Sequence, residues 1–159
     1  MSSSRGAAPE DVSSARPNAK PPHALTVVAT ATSQPYWDAV HDRGRLELVR
    51  CDDCGHWIHY PKSRCSECWS DTVSWQPVSG QGTLVSWTTT WRATAPQLVD
   101  MVPFTLGLVE LVEQKGLRVA AWLWQIEDVQ LQLDLPMVVA MLDLPSGRLP
   151  VFVPDGKGR

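Results

Sequence analysis

Cys51-Asp52-Asp53-Cys54 and Cys65-Ser66-Glu67-Cys68 are two C-x2-C pairs, and together they use all 4 cysteines of the chain. Each pair can bend the backbone into a knuckle whose two thiolates point at one ion. Two knuckles make a tetrahedral sulfur cage with no open coordination position, as structural zinc prefers. Iron in a rubredoxin-like site would use the same thiolates, and zinc is the expected ion. A dithiol redox function would need only one pair. Two disulfides in so short a stretch would suit a secreted chain. Four sulfurs saturate the metal, so it is expected to serve folding rather than chemistry. His56 and His59 lie beside the site and read as exposed strand residues of a small module. Gly55 lets backbone amides approach the sulfurs.

Outside the cysteines, chemistry is sparse. The chain has no G-x-S-x-G nucleophile motif and no glycine-rich phosphate loop before a helix. Glu110, Glu113, Glu127 and Asp128 read as strand-edge and turn charges, so no general acid or base is assigned and no catalytic activity is expected. Tryptophan is the other notable resource, with 8 against 2 Tyr and 2 Phe. Trp87 and Trp91 share one face of a strand, as do Trp122 and Trp124. They read as barrel core, or as a partner or ligand surface. Aromatic platforms on OB-fold strands stack bases, so single-stranded nucleic acid is the alternative function. Backbone binding needs cations. Between residues 80 and 153 the cations are Arg92, Lys115, Arg118 and Arg148, which acids outnumber, and the net charge of the whole chain is -3. Both facts disfavour that alternative.

The elements that must position these residues are short. Ser33 can cap a helix and Pro35 fits its first turn, placing Tyr36, Trp37 and Val40 on one side, with Gly44 as the stop. Residues 46–50 (LELVR) read as a strand running into the first cysteine pair. Residues 57–60 form a second strand ended by Pro61, and residues 73–78 a third. Gly80-Gln81-Gly82 signals a turn or bulge. Residues 83–91 (TLVSWTTTW) form a strong strand. A loop follows over 93–102. Strands over 104–113 and 117–126 pair as a hairpin about Lys115-Gly116. Residues 137–142 and a short segment at 149–153 complete the set. Five strands suit a small closed barrel of the OB type. The expected fold is mainly β: a short helix and a rubredoxin-like zinc ribbon over 34–78, then an OB-fold barrel over 79–154.

The 159 residues suffice for one domain or a small domain with an appended module. Residues 1–33, rich in Ser, Ala and Pro, read as a disordered tail, as do residues 155–159. The apolar stretch at 24–31 is too thin and too far from the start for a signal segment. No apolar run is long enough to span a membrane. Reduced thiols and a cytoplasmic location are expected. Because the ribbon is too small to bury a core of its own, loss of one cysteine is expected to unfold it and leave most of the barrel.

Taken in order, the residues resemble a known family. Pro35-Tyr36-Trp37 precedes Leu48-Val49-Arg50-Cys51-x-x-Cys54-Gly55. Trp57-Ile58-His59-Tyr60-Pro61 and Cys65-x-x-Cys68 follow. Then come Trp75, Val78-Ser79-Gly80-x-Gly82-Thr83, Ser86-Trp87-Thr88, Leu108-Val109-Glu110-Leu111 and Leu149-Pro150-Val151-Phe152-x-Pro154. This is similar to the zinc-ribbon plus OB-fold proteins associated with acyl-CoA enzymes, long catalogued as a domain of unknown function. The likeness covers residues 34–154. It implies a small non-catalytic subunit that binds a thiolase-like enzyme, a lipid-transfer-protein-type aldolase or an enoyl-CoA hydratase. It also implies that the OB part helps to shape an acyl-CoA site, and that the ribbon and leading helix make subunit contacts. Cys51, Cys54, Cys65 and Cys68 carry over as metal ligands. Trp37, with Tyr36 beside it, is then the expected anchor for the partner. One departure stands out: Asp134-Leu135-Pro136 occupies a turn where the family usually begins with Gly. It concerns local turn geometry, not the fold.

Overall fold

The computed structural model describes residues 26–156, so residues 1–25 of the expected tail and the last three residues lie outside it. The described chain first turns at Thr30–Ser33, where the Thr30 amide donates to Ser33 Oγ at 2.9 Å. Helix α1 (Gln34–Arg43) begins with Ser33 at its N-cap and ends on Gly44 at φ 62°, as the sequence implies. The Ser33 hydroxyl serves the preceding turn rather than the helix. Ala39 and Val40 form the buried side of α1.

Strands β1 (Glu47–Cys51), β2 (Trp57–Ile58) and β3 (Val73–Pro77) form an antiparallel sheet in the order β2-β1-β3. β2 has two residues rather than the expected four. Five further strands follow: β4 (Gln81–Thr90), β5 (Phe104–Leu111), β6 (Arg118–Leu123), β7 (Pro136–Leu144) and β8 (Gly147–Pro154). They close a barrel in the order β4-β5-β6-β8-β7. Every pairing is antiparallel except β6 with β8. This is the expected mainly-β architecture, a ribbon followed by a five-stranded OB barrel.

Three local details depart from the sequence reading. β8 is eight residues long and pairs with β7 from Leu144↔Gly147 to Met137↔Pro154. The loop before β5 holds a 3-10 helix, Pro96–Met101. Met101 from this helix packs with Phe104, Trp122 and Val151 in a separate apolar cluster. The register shift in β4 falls between Leu84 and Ser86, not at Gly80–Gly82. Asp134, the departure noted above, sits at φ 62° and donates its amide to the Leu84 carbonyl at 2.9 Å. The position demands a left-handed backbone, which explains a usual Gly. Asp is among the few other residues that tolerate it.

The main core does not stop at the barrel. Leu48 and Trp57 from the ribbon belong to the same buried cluster as Leu84, Val109, Leu123, Met137 and Phe152. At the seam, the Gln114 side chain accepts from the Trp57 amide at 2.8 Å and donates to the Trp57 carbonyl at 3.1 Å. It thereby pairs the free edge of β2 as a neighbouring strand would.

Glu47 ties α1 to β1. Its buried carboxylate takes Arg43 at 3.0 Å and Arg45 at 2.7 Å. Burial alone would raise its pKa, but the two guanidinium groups outweigh burial and hold it below the ordinary 4.5. A depressed carboxyl pKa stabilises the fold above its unfolded value, and that stability is lost as pH falls through the folded value. Denaturant unfolding followed by tryptophan fluorescence should therefore show stability falling as pH drops below 4.5. Glu47→Gln should flatten that acid limb, whereas an unchanged limb would place the dependence elsewhere.

Candidate functional site: a four-thiol cage and an apolar cavity

β1 delivers Cys51 directly into the first knuckle. There the Gly55 amide returns to the Cys51 carbonyl at 2.9 Å and the Cys51 amide donates to the His56 carbonyl at 2.8 Å. In the second knuckle the Cys65 amide donates to the Ser70 carbonyl at 2.8 Å, and the Glu67 amide reaches Cys65 Sγ at 3.4 Å. The knuckles are also joined to each other and to β3. Ser70 Oγ donates to Asp53, and Ser74 Oγ donates to Asp52 at 2.6 Å.

This scaffold brings all four Sγ atoms within 4.8 Å of one another. Cys51 lies 3.5 Å from Cys68, and Cys54 lies 3.6 Å from Cys65. These distances are far too long for disulfides. They are close to the edge, about 3.8 Å, of a tetrahedron with metal–sulfur bonds of about 2.3 Å. The donor set and its geometry therefore fit a closed tetrahedral metal site. Cys51 and Cys65 are buried, whereas Cys54 and Cys68 are exposed.

The thiols are electrostatically unequal. The Cys54 amide, helped by that of Asp53, stabilises the Cys51 thiolate and brings it down to about 7. The His56 amide favours ionisation of Cys54, but hydrogen bonds with the other thiols and burial outweigh it and push Cys54 up to about 12. Four crowded thiols resist ionising together, and a bound cation removes that conflict.

Both knuckles end on a left-handed residue. Gly55 stands at φ 76° and Trp69 at φ 62°. The sequence reading identified the first and missed the second. The available signal was the parallel between Cys54-Gly55 and Cys68-Trp69. The Trp69 side chain is 72% exposed, so packing does little to offset its conformation.

The second feature of the site is an open recess of about 370 Å3 bordered by α1, the ribbon and the barrel. Tyr36 and Trp37, the expected anchor residues, both face it. Each is half-buried, and their rings meet edge to face at 5.0 Å. Tyr36 also packs against the main core. His59, expected to be exposed, instead lines this cavity, and burial lowers its pKa. His56 is half-buried and stays outside the thiol group. Of the tryptophan pairs, Trp87 and Trp91 are exposed and do not serve as core, while Trp122 is buried and stacks on Phe104 at 4.5 Å.

Ribbon, cage and five-stranded barrel define the chain as a rubredoxin-like zinc-ribbon protein built onto an OB fold. Residues 41–74 match the family model of the ChsH2 rubredoxin-like zinc ribbon domain, and residues 75–142 match that of the ChsH2 C-terminal OB-fold domain. The two matches abut and cover well over half of the sequence, and the chain belongs to the ChsH2 family. Among solved structures, a chain of the Ltp2-ChsH2(DUF35) aldolase is 26% identical with a TM-score of 0.70, the match covering 80% of this chain and 98% of that one. A DUF35-family protein of unknown function from Sulfolobus solfataricus is 11% identical with a TM-score of 0.50, over 80% of this chain and 87% of that one, a likeness of fold alone. No curated protein matches the chain. Among the described residues, no helix is long and apolar enough to cross a membrane.

Trp69→Gly should raise the stability of the metal-loaded protein by about 0.5–1 kcal/mol, because the left-handed strain removed exceeds the chain entropy added. Denaturant midpoints measure this, and a fall would show that the exposed ring packs.

Proposed function

We propose that the chain is a non-catalytic zinc-ribbon/OB-fold subunit that binds and supports an acyl-CoA enzyme of the lipid-transfer-protein-type aldolase class. The observation that carries this reading is the pair of adjoining matches to both ChsH2 modules over residues 41–142, together with the likeness to a chain of the Ltp2-ChsH2(DUF35) aldolase. Tyr60, Trp69, Trp87 and Trp91 add large exposed rings of the kind that concentrate at interface hot spots. Arg118 and Arg148, two of the few barrel cations, are paired with Glu110 and Asp143. That weakens the nucleic-acid alternative. In this reading residues 34–78 and 79–154 are the two functional modules, and the expected tail over 1–33 is dispensable up to the Thr30–Ser33 turn, whose Ser33 stands at the N-cap of α1 and lines the cavity.

Cys51, Cys54, Cys65 and Cys68 hold one structural zinc in this reading. The ion fixes the two knuckles against each other and does no chemistry. Elemental analysis of protein purified without added metal should find about one zinc per chain. Iron would correct the ion, and two disulfides without metal would refute the cage. Leu48 and Trp57 share the barrel's core, so the expectation of independent modules is revised. Strong chelation should lower the melting of the barrel as well, in one broadened transition seen by circular dichroism.

Co-expression with an Ltp2-type aldolase should yield a stable complex by size-exclusion chromatography, and aldolase activity should fall when this subunit is withheld. Trp37→Ala should weaken assembly by about 2 kcal/mol or more, the hot-spot range, with little change in melting. Lower stability with unchanged assembly would mean that Trp37 only packs. Recovery of the chain with nucleic acid instead would overturn the reading.

A further inference from the structure

The cavity between α1, the ribbon and the barrel has no part in holding the cage. Its volume of about 370 Å3 falls in the range of small-molecule sites, about 300–1,000 Å3. Three separate elements wall it, so it is a recess rather than a flat face. Trp37 and Tyr36 come from α1, Trp75 from β3 and Trp122 from β6, with Leu149 as an aliphatic wall and the exposed Ala120 at the rim.

Its electrostatics are as informative as its size. No Asp, Glu, Lys or Arg lines it. A charged ligand would lose its hydration there without gaining a counter-charge. The lining residues with polar side chains are few: Ser33, Tyr36, His59 and Tyr60. The side chains of Tyr36 and His59 make no hydrogen bond to another described residue. Burial, seconded by Tyr60, pushes the Tyr36 phenol above its ordinary range, which keeps it a proton donor. An apolar, aromatic recess with a small number of unengaged polar groups is the usual anatomy of a ligand site.

We propose that this cavity binds an uncharged, largely apolar small molecule bearing one hydrogen-bonding oxygen, a ketone or an alcohol, which packs against Trp75 and Trp122 and accepts a hydrogen bond from the Tyr36 hydroxyl. The lining residues all belong to this chain, but Tyr36 and Trp37 among them are also the proposed aldolase anchors, so ligand binding and assembly need separate readouts.

The test uses the full-length, metal-loaded chain and the uncharged fluorophore N-phenyl-1-naphthylamine, with 2-decanone, 1-decanol and decanoate as competitors. The fluorophore should bind, and both neutral competitors should displace it. Decanoate at pH 8 should compete at least about tenfold more weakly, reflecting its uncompensated charge. Ala120→Phe and the smaller Ala120→Leu add bulk on a cavity-lining strand residue. Each should lower fluorophore affinity, the phenylalanine by about tenfold or more, with melting retained. Tyr36→Phe should weaken 2-decanone about fivefold, the worth of one hydrogen bond, and leave the fluorophore nearly unaffected. No uptake by the unaltered chain, equal competition by decanoate, or full affinity in both Ala120 variants would overturn the proposal. If no probe binds but Ala120→Phe blocks assembly with the aldolase, the recess is a socket for a partner side chain. The ligand proposal then falls while the subunit reading stands.

Discussion

Trp57 is the residue on which the arrangement of the two modules depends. It sits in a two-residue strand with a free edge, and the barrel supplies what that edge lacks. Gln114 engages both its amide and its carbonyl, and its ring enters the barrel's buried cluster. On its other side the Arg50 guanidinium lies 5.2 Å from the ring centroid, while Arg50 Nε donates to the Gly55 carbonyl at 3.0 Å. A continuous path of contacts therefore runs from a hairpin turn of the barrel, through one aromatic ring, to the end of the first knuckle. Without Gln114, the polar backbone of Trp57 would be buried unpaired, at a cost of about 1–3 kcal/mol. The same insertion sets the spacing between ribbon and barrel, and so sets the width of the cavity that α1 closes.

This constraint explains why the ribbon needs both a metal and a partner surface. Its own buried cluster consists of Val49, Cys51, Ile58 and Cys65. Four residues cannot offset the conformational entropy of two knuckles and their connecting loop. Cross-linking through four thiolates and anchoring through Trp57 act on opposite ends of the same short sheet. The Glu47 clamp acts on α1 in the same way, because the helix buries only Ala39 and Val40 and cannot hold its position by area alone.

How much of this was legible beforehand follows from the range of the interactions. The thiol cage was legible because its signal is local and covalent: spacing within each pair dictates where two sulfurs can point. The barrel strands were legible because segments such as 83–91 are rich in Thr, Val and Trp, which leaves few alternatives to a strand. The Gln114–Trp57 contact spans 57 positions, and nothing about a glutamine in a hairpin turn announces it. The cavity was hidden for the same reason, since its walls come from α1, the ribbon and three barrel strands. His59 was misplaced because a strand residue next to a metal module looks exposed until the barrel is docked against it. Trp69 was missed because bulky residues seldom adopt a left-handed backbone, so sequence reasoning assigns that conformation to Gly alone.

The fate of the eight tryptophans ties these points to function. Only Trp57 and Trp122 are buried, and both lie where separate parts of the chain meet. Trp122 joins the 3-10 helix to the outer face of the barrel, as Trp57 joins the ribbon to its core. Trp37 and Trp75 stand half-exposed around the cavity, Trp124 is partly buried against the Trp122 cluster, and Trp69, Trp87 and Trp91 are open to solvent. A chain that needed these rings only for its own stability would bury them, since each fully buried ring contributes several kcal/mol. Trp69 goes further and occupies a strained backbone position where Gly would be easier. Retaining a large ring at a conformational cost, with little packing in return, is accounted for when that ring meets another molecule. The distribution therefore agrees with a subunit whose outer rings face a protein partner and whose inner rings enclose a recess of their own.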